Sequence, residues 1–172
     1  MQTNFFYSFR RRMFDEPPNF FYIIFVIKKG EEKVNTRFFK FAQQSMYKSD
    51  YHGSGSSPRI GAVAVYKGSI VAEAWNTDKT SPLQARYNVY RYHNDSMPPK
   101  SHCEALLVQR LRWKFGDGLD WSRVDIYLYR ELRSGTPALC RPCRSCFHML
   151  KDLGVKHVFY TTENGYCEEE IR

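Results

Sequence analysis

Two short motifs constrain this chain more than any other feature: His102-Cys103-Glu104 and Pro142-Cys143-Arg144-Ser145-Cys146. Imidazole and thiolate are ligands that zinc prefers, and zinc takes four ligands in a tetrahedral arrangement. One histidine and two cysteines would fill three positions and leave the fourth to a water, whose pKa the metal lowers to about 7. Glu104 is then a spare carboxylate suited to move protons. The fold must therefore bring two distant segments together at a catalytic zinc ion.

Each motif opens a segment with the periodicity of a helix. Apolar residues follow His102 at spacings of three and four, and a second apolar stripe includes Cys143 and Cys146. Pro142 suits the first helical position of the second segment, because the backbone N–H that proline lacks is unpaired there in any case. We predict His102, Cys143 and Cys146 as the zinc ligands and Glu104 as the catalytic proton carrier.

Two other interpretations use the same cysteines. Cys140, Cys143 and Cys146 are spaced like part of an iron–sulfur run, and Cys140 could join the other three ligands in a closed structural zinc site. The second arrangement would make the protein a zinc-stabilised binding module without activity. Neither explains why Glu104 follows the histidine at this distance or why Pro142 precedes Cys143.

The pattern H-x-E followed by P-C-x-x-C is the signature of zinc nucleobase deaminases. From about Arg59 to Gly165 the sequence resembles the cytidine deaminase-like superfamily, which includes cytidine and deoxycytidylate deaminases, tRNA adenosine deaminases and the AID/APOBEC editing enzymes. The resemblance implies an α/β fold of three layers, α-β-α, with a mixed central sheet and helices on both faces. It also implies Zn²⁺ as the cofactor.

Alternating and β-branched residues predict the strands of this sheet. Residues 60–66 and 70–76 form a predicted hairpin, and 124–129 and 155–162 are predicted as two further strands. A helix over 36–46 is expected to cover one face of the sheet with a stripe of Phe38, Phe41, Ala42 and Ser45.

The resemblance also suggests substrate contacts. It makes Asn76 the candidate sugar contact, Ala62 a wall of the base pocket, and Cys103 and Pro142 further substrate-binding positions. Cys103 would contribute its backbone N–H while its side chain packs inside. For Asn76 the alternative is an ordinary turn residue at the end of a strand, since asparagine is common in turns.

The stretch between Asn76 and His102 interleaves basic and aromatic residues. Arginines can hold a phosphate and tyrosines can stack on a base, so Arg86, Tyr87 and Arg91 are candidate phosphate or base contacts. The alternative is an ordinary loop with structural tyrosines.

Length and composition bound the remaining possibilities. With 172 residues and a formal charge of +8, the chain fits one domain and favours a phosphate-bearing partner. We expect a deaminase domain over 31–172 and an N-terminal extension over 1–30, as an extra strand, a partner-binding arm or a poorly ordered segment. The longest apolar run, 20–27, is too short to cross a bilayer, so no membrane partner is expected. Five cysteines, an odd number, favour a reducing cytoplasm.

These observations predict a hydrolytic zinc deaminase that converts a cytosine-type nucleoside or nucleotide to its uracil form and releases ammonia. The rival is deamination of cytosine or adenine within single-stranded DNA or tRNA, an editing activity. Arg141 departs from the residues that resembling families carry before the proline, and the segment 76–102 is longer than in compact tRNA enzymes, which leaves the subgroup open. Exposed aromatic residues would allow a homo-oligomer.

Overall fold

The structure is a computed structural model that describes residues 35–50, 58–91, 99–132 and 134–171, together with the backbone of 24–27. The rest of the predicted N-terminal extension lies outside the described residues. Within that part of the chain there are six strands and four α-helices. In chain order they are β1 (Ile24–Ile27), α1 (Thr36–Tyr47), β2 (Ile60–Tyr66), β3 (Ser69–Trp75), α2 (Pro82–Tyr87), α3 (Cys103–Phe115), β4 (Val124–Arg130), α4 (Arg144–Leu153), β5 (His157–Thr162) and β6 (Gly165–Glu170).

The strands form one mixed sheet in the order β1-β6-β5-β4-β2-β3. The β4 and β5 strands pair in parallel, and the other neighbours pair antiparallel. The parallel pair needs a crossover, and α4 lies in the connection between the two strands. This confirms the predicted mixed sheet, whereas β6 and its pairing with β1 were not predicted.

The hairpin predicted from the alternating segments is present as β2 and β3. Its turn residues Lys67 and Gly68 both have positive φ, 52° and 76°. Two positive φ angles define the type I′ turn, whose twist matches that of the flanking strands. The hairpin brings the end of β3, where Asn76 follows, beside the start of β2.

Helix α1 covers one face of the sheet. Val63 and Val65 of β2 face it, while Ala62 and Ala64 belong to the core on the opposite face. The predicted stripe of α1 was wrong at Phe41, which is 37% exposed. The residues that pack are Phe38, Phe39, Ala42, Ser45 and Met46. Two adjacent positions per turn face the broad sheet, so the buried stripe is wider than the one predicted.

The opposite face carries α3 and α4, whose inward residues form the larger core with β2, β4 and β5. Leu107, Leu111 and Leu150 are completely buried there. Gly154, with a φ of 86°, ends α4 in the left-handed conformation that suits glycine. Helices on both faces confirm the three-layer α-β-α fold. No helix of the described ranges is both long and apolar enough to span a membrane.

Gly61 sets how closely α1 approaches the sheet. A Cβ atom at this position would overlap the backbone of Ala42 and Met46 in α1. Gly61→Ala should therefore lower the free energy of unfolding by about 1–3 kcal/mol, because backbone on both sides must move apart. Urea unfolding measures the effect. Gly118→Ala is the matched control, since a Cβ there meets no atom within 4 Å; equal losses for the two variants would contradict this interpretation.

Candidate active site

Two helix N-termini meet at the candidate site. His102 is the N-cap of α3, and Cys143 is the N-cap of α4. The predicted position of Pro142 was therefore wrong by two residues: it precedes the cap, and α4 begins at Arg144. Cys143 keeps an extended ψ of 164° because it is a cap, and its carbonyl accepts from Phe147 at 2.8 Å. The positive ends of both helix dipoles thus face the thiolates.

The three predicted ligands lie together with the spacing that a metal ion needs. Nδ1 of His102 is 3.5 Å from Sγ of Cys143 and 3.5 Å from Sγ of Cys146. Tetrahedral zinc with its usual bond lengths to nitrogen and sulfur separates such a pair by about 3.6 Å. All three donor atoms lie within 4.8 Å of one another. The donor set and its spacing both fit zinc.

Cys140 does not join this cluster. Among the described residues, the group that could hold a metal consists of His102, Cys143 and Cys146. Cys140 is 4% exposed, and burial raises the pKa of its thiol well above the ordinary value. The geometry therefore favours a site with three protein ligands over the closed four-ligand alternative.

The two ligand cysteines share a proton through hydrogen bonding. The bond from Cys146 is the largest influence lowering the pKa of Cys143, and its counterpart raises the pKa of Cys146, as burial also does. Burial opposes protonation of His102, but the hydrogen bond with Cys143 and the charge of Glu104 outweigh it and raise the pKa of the imidazole. Negative charge thus concentrates on the half-buried sulfur of Cys143, beside the buried Cys146. A divalent cation is the natural counter-charge.

Glu104 occupies the first turn of α3 and is only 5% exposed. Burial raises the pKa of its carboxyl group, which disfavours the charged form. The thiol of Cys103 donates to Oε2 of Glu104 at 3.2 Å. A carboxyl group with a raised pKa can both take and return a proton near neutral pH, as general acid–base catalysis requires.

Asn76 is held tightly where β3 ends. Its Oδ1 accepts from the backbone N–H of Ile60 at 2.8 Å and from the hydroxyl of Ser49 at 3.0 Å, and its Nδ2 donates to the carbonyl of Pro58 at 2.8 Å. These bonds tie the hairpin to the end of α1. A carboxamide nitrogen carries two hydrogens, so one can still serve a sugar hydroxyl. The sugar contact stays a prediction.

The other three predicted substrate-binding positions, Ala62, Cys103 and Pro142, are all buried. Ala62 and Cys103 are both fully buried in the core that contains Cys146. Pro142 is also buried. Cys103 and Pro142 are also next in sequence to the candidate ligands His102 and Cys143. Contact of all three residues with a substrate stays a prediction.

The three predicted phosphate or base contacts have different surroundings in the structure. Arg86 is exposed on α2, with its guanidinium carbon 5.9 Å from the centre of the Tyr87 ring. Tyr87 is 8% exposed, so little of its ring is open to a base. Arg91 instead reaches the candidate ligands: Nη2 lies 2.6 Å from Nε2 of His102 and 3.7 Å from Sγ of Cys143.

Two polar features of the site were not predicted. Gln84 of α2 is 1% exposed, and the thiol of Cys146 lies 3.7 Å from its Oε1. Arg141 pairs through two nitrogens, at 2.7 and 2.8 Å, with Glu169 of β6, which also accepts from Tyr160 at 3.0 Å. This pair ties the segment before Cys143 to the sheet. Glu169 is 1% exposed and lies on a strand that was not predicted. The sequence therefore held no signal that Arg141 would pair with Glu169.

Comparison with known families now decides the relationship. The family described as "Cytidine and deoxycytidylate deaminase zinc-binding region" matches residues 32–162. The chain belongs to this family. Its membership makes the protein a deaminase of a zinc-binding class and confirms the resemblance seen in the motifs. Together with the cluster of His102, Cys143 and Cys146, it also confirms zinc as the predicted cofactor. No curated protein matches the chain significantly.

Three solved structures show similarity to the chain. A cytidine deaminase from Burkholderia pseudomallei aligns with a TM-score of 0.54 at 14% identity, over 81% of this chain and 94% of that one. The dCMP deaminase from the cyanophage S-TIM5 in apo form aligns with a TM-score of 0.46 at 23% identity, over 72% of this chain and 79% of that one. The same phage enzyme in complex with dCMP and dUMP aligns with a TM-score of 0.46 at 22% identity, over 72% of this chain and 77% of that one. The Burkholderia structure supports the three-layer architecture.

Replacing one sulfur at a time tests the ligand set. Cys143→Ala and Cys146→Ala should each abolish stoichiometric zinc binding, because two protein ligands leave the ion weakly held. Cys140→Ala should retain about one zinc per chain. Elemental analysis of the purified folded proteins measures the content. If Cys140→Ala lost its zinc as the other two variants do, the closed four-ligand site would be established instead.

Proposed function

We propose that the protein is a zinc-dependent hydrolytic deaminase that converts a cytosine-type nucleoside or nucleotide to the uracil form and releases ammonia. The observation that carries this proposal is the buried carboxyl group of Glu104 beside a set of three zinc-ligand atoms. A closed structural site would need a fourth protein ligand and would have no use for a buried carboxylate outside the ligand set. Membership of the cytidine and deoxycytidylate deaminase family supports the cytosine base.

The chain's own residues supply binding and proton transfer. Zinc, when bound, makes a water molecule nucleophilic at neutral pH. Glu104 would accept one proton from the water that attacks C4 of the base and pass it to the ring nitrogen. It would then take the second proton from the new C4 hydroxyl and pass it to the departing amine. The C4–N bond breaks, a C4–O bond remains, and ammonia leaves. Asn76 would hold the sugar with its remaining amide hydrogen, against the wall that Ala62 provides.

The burial of Glu104 suits this cycle. A fully exposed carboxylate would lose its proton to water before the second transfer, whereas burial raises the pKa of Glu104 and lets the group keep it. Cys103 donates to one carboxyl oxygen, Oε2. That contact would leave Oε1 for proton transfer.

Glu104→Gln tests the proton transfer, because the amide has nearly the same shape as the carboxyl group but cannot take up and release a proton. We expect a loss of kcat of about 10²–10⁴-fold with zinc content unchanged. Ammonia release and elemental analysis measure the two quantities. Gln109→Glu, a reverse exchange further along α3, controls for altered charge in this helix. Ammonia release by Glu104→Gln at the parent rate would remove Glu104 from the mechanism.

One observation favours the second candidate, deamination of a base within single-stranded nucleic acid. Trp113 of α3 is 91% exposed, and its neighbours Arg112 and Lys114 are exposed as well. An exposed indole between cations can stack on a base while the cations contact phosphates. The formal charge of +8 is compatible with such a surface.

A substrate panel separates the two candidates. The primary proposal predicts ammonia release from free cytidine or dCMP and no retention of a cytosine-containing oligonucleotide in a gel shift. The rival predicts oligonucleotide binding that weakens steeply with salt, C-to-U or A-to-I conversion within the strand, and loss of both in Trp113→Ala. Conversion in the strand without conversion of any free nucleotide would overturn the primary proposal.

The proposal includes a cytoplasmic location and association of identical chains. All five cysteines are free thiols, and the two candidate ligands need a reducing compartment to stay available to a metal. Sedimentation of the zinc-loaded protein used in the substrate panel reports whether copies associate.

A further inference from the structure

The segment 82–91, formed by α2, the 3₁₀ turn Asn88–Tyr90 and its C-cap Arg91, lies against both sulfur ligands. Gln84 contacts Cys146 at 3.7 Å, and Arg91 contacts Cys143 at 3.7 Å. We propose that Gln84 and Arg91 are positioning residues that each donate a hydrogen bond to one thiolate ligand and so set the affinity of the site for zinc. This inference rests on the zinc site of the proposed function, and it concerns residues that act through the ligands.

Gln84 can act as a donor, although the atom placed beside the sulfur of Cys146 is its oxygen, Oε1. A cysteine that binds zinc is a thiolate and can only accept a hydrogen bond. The oxygen and nitrogen of a carboxamide have nearly the same shape, so their assignment follows from the hydrogen bonds they make. Turning the amide places Nε2, with its hydrogens, toward Cys146. Gln84 is 1% exposed, so no water competes for this bond.

Asn88 completes the arrangement behind Gln84. Its carboxamide lies 2.9 Å from the nitrogen of Gln84, and the hydroxyl of Ser145 lies 3.5 Å from the Asn88 oxygen. Turning both amides keeps this contact, with Asn88 as donor and Gln84 as acceptor. Asn88 is 7% exposed. A chain of buried polar groups thus runs from the 3₁₀ turn to the sulfur of Cys146 and fixes the position of the amide.

Arg91 contributes a donor and a positive charge. A guanidinium group has no acceptor, so its contact with the Cys143 sulfur suits a thiolate. Its second contact, with Nε2 of His102, is different. A ring that binds metal through Nδ1 carries its proton on Nε2, and two donors cannot share one bond. Only the sulfur contact is compatible with ligation through Nδ1.

Hydrogen bonds of this kind orient the ligands and withdraw charge from sulfur. Groups that contact metal ligands typically change metal affinity by roughly 10–100-fold when they are removed. Here both donors come from one short segment, which supplies one of them to each sulfur. The same segment includes the arginine that the sequence suggested as a phosphate contact, which gives Arg91 a role independent of the substrate.

The test compares zinc affinity in matched variants. Gln84→Met and Arg91→Met remove one donor each, and each should weaken zinc binding by roughly 10–100-fold in competition with a chromophoric chelator. The thiolate-to-metal absorption band of the cobalt-substituted protein should shift as well. Arg91→Lys keeps a charged donor and should recover part of the affinity. Neither readout requires a substrate, so failure of the proposed deamination would leave both interpretable.

Two controls separate donation from loosening of the segment. Gln109→Met removes the bond of 3.1 Å from Gln109 to Ser81, the N-cap of α2, and Arg86→Met removes a charge from the same helix. Both should leave zinc affinity and the cobalt band unchanged. If Gln84→Met does not fold, Gln84→Glu keeps the length without amide hydrogens and should bind zinc more weakly still. Two results would overturn the proposal. One is a zinc affinity equal to that of wild type in Gln84→Met, Arg91→Met, Arg91→Lys and Gln84→Glu. The other is a loss of zinc affinity in the two controls as large as in Gln84→Met and Arg91→Met.

Discussion

The structure depends on two sulfur ligands being held close together beside one imidazole. Cys143 and Cys146 lie at the start of α4, and His102 meets them from the start of α3. Helix dipoles help to offset the negative charge, but a divalent cation offsets it far more strongly. The sheet order places both helices on one face, where the larger core fixes them. Packing of both helices into this core thus accompanies the ligand spacing of 3.5 Å.

The position of Glu104 follows from the same constraint. A helix that starts at the candidate ligand His102 places the residue two positions later in its first turn, near the ligand side chains but outside the ligand set. The surrounding core then buries the carboxyl group and raises its pKa. One local feature, a histidine at a helix N-cap, therefore supplies both a ligand and a proton carrier, and the mixed sheet needs only to bring α4 alongside.

Much of this arrangement was predictable because the motifs are local and chemically specific. The ligand trio, the hairpin, α1 and the three-layer fold all followed from residue spacing or from the family resemblance. Helix α2 was not predicted, although Ser81 and Pro82 form an N-cap followed by proline, a signal for a helix start. Strand β6 was not predicted either, because polar side chains and glutamates obscure its alternation. Long-range partners such as Arg141 with Glu169, or Gln84 with Cys146, depend on packing that spacing does not encode.

The central claim is that zinc has three protein ligands and one exchangeable position. X-ray absorption at the zinc edge of the purified protein measures this directly. The account predicts two sulfur atoms at about 2.3 Å and two lighter atoms at about 2.0–2.1 Å, one of which exchanges when a competing anion is added. A shell of three sulfurs and one nitrogen that does not respond to added anion would contradict it.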